Sequence, residues 1–494
     1  MLTNKSSIGI VWLKRDLRLR DHAAMHAAIK ENDQTLLLYV FETILAKDPH
    51  YSARHFDFIK QSLVDMNRHL EAFNTQILVT QGAIIEVLSK IKESYTIGGL
   101  YSHQETGLRV TFQRDIDVKK WAKKEQIQWI EFNQQGVFRG MKNRKKWLVN
   151  WTKTMNEKQY PFPNKEVSFL QKEKISELNQ SLQAVELTTK PVKQIQLGGS
   201  TQGQRYMDSF FKDRHPQYQK HISKPDLARK SCSRLSPYIA YGNLSMREVL
   251  QRTEEEKEKG NSSFGLRAFE SRLRWQAHFI QKFEMECSME FVSVNKGYHK
   301  LSKPVNEKRI IAWEKGKTGI PIVDASMRCL VSTGYLNFRM RALVVSFFVH
   351  QLWQPWQKAS GFLARAFLDF EPGIHFPQLQ MQAGETGINT LRIYNPVKNG
   401  IEHDPKGIFT KEWVPELRPL PDNIVHTPWE ITPFEEKMYN FTLGIDYPKP
   451  IVSLDESRKY ASDILWKMQK EPLVFQESKR ILKRHTLSNR KSIQ

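Results

Sequence analysis

Charged residues inside an apolar stretch are the first feature of this sequence that could do chemistry. Residues 320–348 read IPIVDASMRCLVSTGYLNFRMRALVVSFF and contain Asp324, Arg328, Arg339 and Arg341. Charged side chains are rarely buried unless something pairs them. We therefore expect this stretch to contain internal ion pairs, to hold an anionic ligand, or to do both.

A basic segment offers a second kind of chemistry. Residues 138–151, FRGMKNRKKWLVNW, place five basic residues beside Trp147 and Trp151. Such a segment could bind phosphates and stack bases, but a solvated basic turn with two core tryptophans fits equally well. The chain has 75 Lys and Arg against 53 Asp and Glu, a formal charge of +22. This excess favours a polyanionic partner such as nucleic acid over charge that serves only solubility.

Cysteine usage and hydropathy exclude several classes of protein. Cys232, Cys287 and Cys329 are widely spaced and form no CxxC, so we expect no disulfide framework, iron–sulfur cluster or other metal site. No run of eighteen apolar residues occurs, and the N-terminus lacks a signal-peptide core. We expect a cytoplasmic, nucleoid-associated monomer without a membrane segment.

The elements that must position these residues fall into two types. Residues 1–135 alternate short β-rich runs with helical patterns, which predicts an α/β domain with a doubly wound parallel sheet. The first strand-to-helix turn, LKRDLRLRDH, has no glycine and therefore no dinucleotide fingerprint. Residues 136–200 are polar and irregular and predict a linker. Residues 201–494 predict an all-helical domain that ends in a basic tail.

Four motifs in order give this chain a resemblance to a known family. They are VWLKRDLRLRDH near the N-terminus, SRLSPYIAYGNLSMREVL at 233–250, GKTGIPIVDASMRCLVSTGYLNFRMR, and RIYNPVKNGIEHDPKGIFTKEWVPEL. Together they resemble the photolyase/cryptochrome family of flavoproteins, over residues 8 to about 460. The resemblance implies bound FAD and allows an antenna chromophore, a folate or a deazaflavin.

The resemblance also implies which residues surround the FAD. Arg341 would stabilise negative charge on the reduced ring, paired with Asp369, while Asp324 and Arg328 would form structural pairs. Ser236 could contact a phosphate or cap a helix that has Pro237 at its first position. The expected cofactor-binding residues are Tyr218, Ser233, Arg234, Leu235, Ser236, Arg274, Phe338, Arg341, Asp369, Glu371 and His375.

Several positions depart from the family pattern. His375 stands where the family usually has the asparagine that faces flavin N5, and its ordinary pKa near neutrality would change proton chemistry there. Leu273, Phe338 and Met381 (or Gln382) replace residues of the lesion pocket, whereas Glu270 matches the carboxylate that contacts pyrimidine bases. Each could instead be ordinary packing, and Glu270 could simply pair with Arg274.

The tryptophan relay that supplies electrons to the flavin is incomplete in this sequence. Trp356 matches its middle member, and Trp353 is expected one helical turn away. Tyr335 or Trp275 could provide another route, although core packing explains any one buried aromatic side chain as well. The candidate catalytic residues are Glu270, Arg341, Trp356, Trp353 and His375.

Three functions are compatible with this resemblance. The first is a deoxyribodipyrimidine photo-lyase, in which reduced FAD donates an electron to a flipped-out cyclobutane pyrimidine dimer. Its DNA partner could be single-stranded, because the usual pocket aromatics are altered. The second is a cryptochrome-type blue-light photoreceptor. The third is a (6–4) photoproduct photolyase, which is expected to need a histidine as acid–base catalyst.

Overall fold

A six-stranded sheet forms the N-terminal part of the molecule. The computed structural model describes residues 7–164, 166–261 and 264–486, without the side chain of residue 261. The strands are β1 (Ser7–Leu13), β2 (Thr35–Glu42), β3 (Leu78–Gly82), β4 (Thr96–His103), β5 (Trp129–Phe132) and β6 (Gln183–Ala184). They lie in the order β5-β4-β1-β2-β3-β6, and all pairs are parallel except β3 with β6.

The sheet is doubly wound, as the sequence predicts. In β1, SIGIVWL, every residue after Ser7 is buried, because helices cover both faces of a parallel sheet. The helices of this part are α1 (Ala23–Glu31), α2 (Thr43–Ala46), α3 (Ala53–Leu70), α4 (Ile84–Ser94), α5 (Arg109–Lys124), α6 (Trp147–Asn156) and α7 (Lys172–Ser181).

From residue 200 onward the described chain is helical. Its α-helices are α8 (Ser200–Ser209), α9 (Tyr218–His221), α10 (Pro225–Ser231), α11 (Ser236–Ala240), α12 (Met246–Glu256), α13 (Phe264–Met285), α14 (Glu307–Glu314), α15 (Pro321–Thr333), α16 (Phe338–Ser346), α17 (Trp356–Ala366), α18 (Pro372–Gln382), α19 (Pro396–His403), α20 (Ile408–Trp413), α21 (Pro433–Tyr439), α22 (Leu454–Gln469) and α23 (Pro472–His485). The apolar stretch 320–348 forms α15 and α16. Gly334 ends α15 with φ 70°, the left-handed conformation that suits glycine.

The segment between the two parts is more ordered than a plain linker. It contains α6 and α7, and its strand β6 pairs antiparallel with β3 at the edge of the sheet. Trp147 and Trp151 are buried in the core, and the Arg144 guanidinium lies over the Trp147 ring. This favours the packing interpretation of the basic segment over base stacking. The predicted domain boundaries at 135 and 200 stay predictions.

The predicted basic tail divides at the end of α23. Its first part, to His485, is helical and packs against α13: the imidazole of His485 lies 2.7 Å from Glu286. Residues 487–494 lie outside the described residues. Among the helices that the structure describes, none is both long enough and apolar enough to cross a membrane.

Candidate cofactor site

A cavity of about 320 Å³ opens among the helices of the C-terminal part. Its walls come from α9, α11, α13, α16, α18 and the segments 232–236 and 367–371. Most of the expected cofactor residues line it: Tyr218, Ser233, Arg234, Leu235, Ser236, Phe338, Arg341, Asp369, Glu371 and His375. The volume falls in the range of about 300–1,000 Å³ that is typical of ligand pockets.

Arg341 and Asp369 form a two-pronged ion pair in the pocket wall. The guanidinium Nη1 and Nη2 lie 3.0 and 2.8 Å from the two carboxylate oxygens, and Nε donates to the Leu336 carbonyl. Burial alone would raise the pKa of Asp369, but the charge and hydrogen bonds of Arg341 hold it below its usual value. The Arg341 side chain remains 31 % exposed, so one face of a fixed positive charge is left open to the cavity.

Glu371 connects the pocket to the α/β part. Its carboxylate lies 3.2 Å from Arg15, which follows β1 and also donates to the carbonyls of Ala240 and Phe370. Burial raises the pKa of Glu371, and the charge of Arg15 opposes this shift. Glu371 also accepts the Gly373 N–H at the start of α18. Thus this carboxylate holds the two parts of the molecule together at the pocket.

The segment 233–236 has an unusual backbone at the pocket wall. Arg234 has φ 61°, a left-handed conformation that costs a non-glycine residue energy. It exchanges two hydrogen bonds with Gln196, and its guanidinium lies 3.8 Å above the Tyr335 ring. Helix α11 begins at Ser236, with Leu235 before it and no side-chain cap, so the interpretation of Ser236 as a helix cap is wrong. Instead Ser236 hydrogen-bonds Asp369.

Two predicted residues of α13 lie outside the pocket lining. Glu270 pairs with Arg274 at 2.7 Å and with Lys257 at 3.0 Å, which is the structural alternative anticipated for it. The face of α13 that lines the pocket carries instead Phe269, Arg272, Leu273 and Gln276. Residues three and four apart share a helix face, so the apolar pair Phe269 and Leu273 could have identified this face from the sequence. The catalytic role of Glu270 and the cofactor role of Arg274 stay predictions.

Sequence reasoning also missed Asn337. Its side-chain amide donates to the Ile222 carbonyl, and its Oδ1 is buried among the described residues with no hydrogen-bond donor. A buried polar atom without a partner is costly, so this oxygen calls for a donor from a ligand. The residue just before α16 could have been suspected only as a helix cap, a role that its side chain does not fill.

His375 lines the pocket, but its protonation differs from the expectation. Burial lowers the pKa of His375 to about 3, so it is neutral near pH 7 instead of titrating there. Its Nε2 lies 3.1 Å from the Ser360 carbonyl and 3.3 Å from the Ser360 hydroxyl. The sequence could not show that apolar rings would enclose this imidazole.

Trp353 and Trp356, the two tryptophans of the predicted electron route, do not lie on one turn of a helix. Helix α17 begins at Trp356, whereas Trp353 precedes it with φ 54°, so the expected helical turn between them is wrong. The two indoles belong to different apolar clusters, and neither lines the pocket. Trp356 donates to the Ser293 hydroxyl. Trp275 is half exposed, and of the alternative carriers only Tyr335 lines the cavity.

The remaining charges of stretch 320–348 are structural, as anticipated. Asp324 accepts hydrogen bonds from Thr318, Gly319 and Tyr447, and burial raises its pKa to about 6. Nη1 of Arg328 donates to both carboxylate oxygens of Glu416. Asp324 and Arg328 therefore belong to the scaffold, whereas Arg341 faces the cavity.

The pocket suits an anionic, ring-bearing ligand. Three guanidinium groups line it, those of Arg234, Arg272 and Arg341, together with serine hydroxyls and apolar side chains. The cationic groups match a pyrophosphate or a ring that carries negative charge, and the apolar wall matches a flat ring system. With the unpartnered Asn337 oxygen, this donor set fits FAD.

Comparisons with known proteins agree with this geometry. The family model described as DNA photolyase matches residues 9–147, and that described as FAD binding domain of DNA photolyase matches residues 269–467. The chain is 25 % identical over 481 residues to a deoxyribodipyrimidine photo-lyase of Alkalihalophilus pseudofirmus, covering 93 % of this chain and 98 % of that protein.

Cryptochromes are similar to the same extent. A cryptochrome DASH of Gloeobacter violaceus is 27 % identical over 487 residues, which is 91 % of this chain and 93 % of that protein. The solved structure of a cryptochrome from Synechocystis superposes with a TM-score of 0.84 at 21 % identity, covering 94 % of this chain and all of that one. At this identity the likeness shows the fold.

Fold and pocket together define an FAD-binding flavoprotein with an α/β part joined to a helical part. The first family model covers strands β1 to β5, and the second begins within α13 and ends within α22. The chain belongs to the photolyase/cryptochrome family. Members of this family carry out light-dependent DNA repair or sense blue light.

Proposed function

We propose that this protein is a deoxyribodipyrimidine photo-lyase that repairs cyclobutane pyrimidine dimers, with a preference for single-stranded DNA. The observation that carries the proposal is a groove of about 780 Å³ beside the cofactor pocket. Phe338 and Gln382 line both, so a strand in the groove would continue into the pocket mouth. The groove is lined by Phe338, Arg339, Met381, Gln382, Gly387, Ile388, Asn389, Thr390, Arg392, Tyr394, Gln469, Phe475, Ser478, Lys479 and Leu482.

The charge of this groove suits a nucleic-acid backbone. It contains Arg339, Arg392 and Lys479, and none of the described residues that line it is acidic. Arg339, whose place in an apolar stretch needed an explanation, lies over the Tyr394 ring, and its buried Nε lacks a partner among the described residues. Cationic side chains along a groove neutralise phosphates and release counterions.

Aromatic side chains complete the match to a single strand. Phe475 and Phe338 are 60 % and 43 % exposed, and exposed rings of this kind stack on bases without regard to sequence. The Lys479 ammonium lies 4.4 Å from the Phe475 ring centre, so a charge and a stacking surface stand side by side. Met381, expected in the lesion pocket, lines this groove instead, whereas Leu273 lines the pocket.

FAD, when bound and reduced, supplies the electron that light transfers to the dimer, and the electron returns after the two carbon–carbon bonds of the cyclobutane ring break. The residues of the pocket support this chemistry in three ways. Arg341, fixed by Asp369, holds positive charge at the pocket wall where negative charge is stored. Leu273 and Phe338 give a flipped base apolar surface, and the apolar walls exclude water. An antenna chromophore and a monomeric state remain part of the proposal.

A photoreceptor role is the second candidate. It is favoured by one observation: the Glu270 carboxylate, which a repair enzyme would direct at the bases, is engaged by Lys257 and Arg274. The (6–4) alternative rests on His375 alone, and burial lowers the pKa of this imidazole to about 3, so it is neutral near pH 7.

Illumination of the reduced protein with defined lesions tests the proposal. Single-stranded and double-stranded oligonucleotides that carry one cyclobutane dimer or one (6–4) lesion are followed chromatographically. Restored thymines in the dimer substrates, fastest in single strands, support the proposal. Full FAD content with no light-dependent splitting of any dimer would transfer the assignment to the photoreceptor.

A further inference from the structure

A row of polar side chains runs from a loop of the α/β part to the wall of the cofactor pocket. In loop 47–51, the Asp48 carboxylate lies 2.9 Å from Nδ1 of His50. Nε2 of His50 lies 3.4 Å from the Ser360 hydroxyl in α17, and this hydroxyl lies 3.3 Å from Nε2 of His375 in α18. Each step is within hydrogen-bond reach, and the row joins three separate segments of the chain.

Aromatic rings surround the row. The His50 imidazole stacks on Phe370 with an interplanar angle of 8°, and Phe376 meets it edge-on. His375 meets the same two rings, each at 5.2 Å. Such apolar walls disfavour any other path for a proton, because a charge placed among them lacks solvation. The polar atoms of the row therefore form the low-cost path through this wall.

The hydrogen bonds fix where the protons lie. Asp48 can only accept, so neutral His50 carries its proton on Nδ1 and accepts the Ser360 hydroxyl proton at Nε2. His375 must donate from Nε2, because the Ser360 carbonyl, at 3.1 Å, can only accept. Its Nδ1 is then the unprotonated nitrogen and belongs to a ring that lines the pocket. All donors thus point from the pocket towards Asp48.

We propose that His375, Ser360 and His50 form a proton relay between the cofactor pocket and loop 47–51. A proton that leaves the pocket binds Nδ1 of His375, whose Nε2 proton passes to the Ser360 oxygen. The Ser360 hydroxyl proton passes to Nε2 of His50. One positive charge has then moved from the pocket to His50, where the Asp48 carboxylate stabilises it, and no electron has moved.

From that end state the same row returns a proton inward: Nε2 of His50 gives its proton to the Ser360 oxygen, the Ser360 hydroxyl proton passes to Nε2 of His375, and Nδ1 of His375 releases its proton to the pocket. Burial disfavours the charged form of His375, which therefore passes the proton on instead of retaining it. Among the surrounding charges, those of His50 and Arg341 lower the pKa of His375 further, and that of Asp369 opposes them. The relay concerns proton balance at the pocket and holds for a repair enzyme and a photoreceptor alike.

Proton exchange during photoreduction tests the relay. The FAD-loaded protein is illuminated with a thiol as electron donor, while a pH-indicator dye reports proton uptake and flavin absorbance reports electron arrival. In Ser360→Ala, proton uptake should slow by roughly 100-fold, the size typical of a lost acid–base step, with FAD content and electron arrival unchanged. Ser360→Thr, which keeps the hydroxyl, should restore most of the rate.

Ser326→Ala is the matched control. Ser326 is a buried helix serine whose hydroxyl donates to the carbonyl four residues earlier, away from the pocket. It should leave proton uptake unchanged. Equal uptake rates in Ser360→Ala, Ser326→Ala and the unmodified protein would overturn the relay.

Two further measurements do not depend on how well Ser360→Ala folds. Nitrogen NMR of labelled histidines should find the His50 proton on Nδ1 and the His375 proton on Nε2, and the opposite tautomers would refute the assignment. In His50→Ala, added imidazole should recover proton uptake, because a small base can replace the outer member of a relay. No recovery in a folded, FAD-loaded variant would also count against it.

Discussion

Two ion-paired arginines of this molecule, Arg114 and Arg341, differ in the space beside them. At the carboxyl edge of the sheet, Arg114 contacts Glu42, Glu105 and Asp115, and all four side chains are buried. The cavity that Glu105 of this cluster lines measures only about 30 Å³. In the helical part, Arg341 has one carboxylate partner and an open face on a cavity of about 320 Å³.

The difference shows what separates a scaffold from a site. Arg114 uses its donors on protein carboxylates, and nothing remains for a ligand. Arg341 and Asp369 orient each other, yet the guanidinium keeps a surface that a ligand can reach. Buried charge in a sequence therefore indicates a need for partners, and only the free space beside it decides whether the partner is protein or ligand.

Removing Arg114 should give the largest change in stability. Arg114→Ala leaves Glu42 and Glu105 buried without their ion-pair partner, and breaking one buried pair costs about 3–5 kcal/mol of unfolding free energy. Urea unfolding measures this loss, and the folded fraction should retain FAD. Lys120→Ala, an exposed residue of the same helix, is the control and should change stability by less than about 0.5 kcal/mol. If Arg114→Ala matched this control, the cluster would not be structural.

Removing Arg341 should act on the cofactor instead. Arg341→Ala leaves the Asp369 carboxylate without its ion-pair partner and removes the positive charge that faces the cavity. FAD affinity should therefore fall by about 100-fold, less than for a fully buried charge, because the Arg341 side chain is partly exposed. Equilibrium dialysis of FAD measures it. Arg328→Ala, which breaks a comparable pair with Glu416 away from the pocket, should lower stability and leave FAD affinity intact. An equal loss of FAD affinity in Arg341→Ala and Arg328→Ala would contradict a specific role of Arg341 at the cofactor.

Buried histidines in both parts of the molecule make its stability depend on pH. Burial lowers the pKa of His103 at the sheet edge to about 4, and those of His55 and His350 to about 4 and 3. These histidines take up protons near pH 6.5 when unfolded but not when folded. Their contribution to the unfolding free energy is therefore complete above pH 6.5. It is lost as the pH falls towards 4, by about 1.4 kcal/mol per pH unit for each histidine.

Buried carboxyl groups whose pKa is raised, such as Asp324, change stability in the opposite direction. The pKa of Asp324, raised by burial to about 6, makes the folded state bind one proton more between its unfolded value and pH 6. Burial lowers the pKa of His375 to about 3 as well, so unfolding free energy measured from pH 7 to 4.5 should still fall. His350→Gln should flatten the slope by about 1.4 kcal/mol per pH unit, whereas the exposed His26→Gln should not. If the slope of unfolding free energy against pH were unchanged in His350→Gln, His350 would not be one of the groups that take up a proton on unfolding.

The sequence predicted the sheet well because its evidence is local. Five apolar runs of β-forming residues, each followed by a helical pattern, leave little choice of architecture, and β1 to β5 follow them closely. β6 was missed because two residues carry no periodicity. The ion pair of Arg341 with Asp369 was predicted through the family resemblance, whereas Arg15 with Glu371 was not, since it joins positions 356 residues apart in the chain.

Other parts of the site depend on which side of an element faces the cavity. Glu270 and Arg274 differ from Phe269 and Leu273 by one position, and one residue rotates a helix face by about 100°. The environment of His375 depends on Ser360 and on a loop of the α/β part, so its protonation could not follow from neighbouring residues. Tertiary contacts of this kind leave no local signal.

Substitutions in the groove should have the smallest effect, and they test whether its open cationic surface binds DNA. Phe475→Ala with Lys479→Gln removes one stacking ring and one cation from a surface that has no acidic residue among its described lining. Affinity for an undamaged single strand should fall by about tenfold. The slope of log affinity against log salt should shrink by about 0.7, the share of one phosphate contact in a single strand. Fluorescence anisotropy at several salt concentrations measures both.

Phe434→Ala with Lys437→Gln is the matched control for the groove, because it removes an exposed ring and an exposed lysine from α21, outside the groove. It should change neither affinity nor salt slope. Light-driven splitting of a dimer in a very short oligonucleotide should be the same in both double variants, since such a substrate reaches the pocket without occupying the groove. If the groove variant bound single strands as the control does, the open cationic face beside the pocket would not be the DNA surface, and only the cationic groups of the cofactor pocket would keep their assigned ligand.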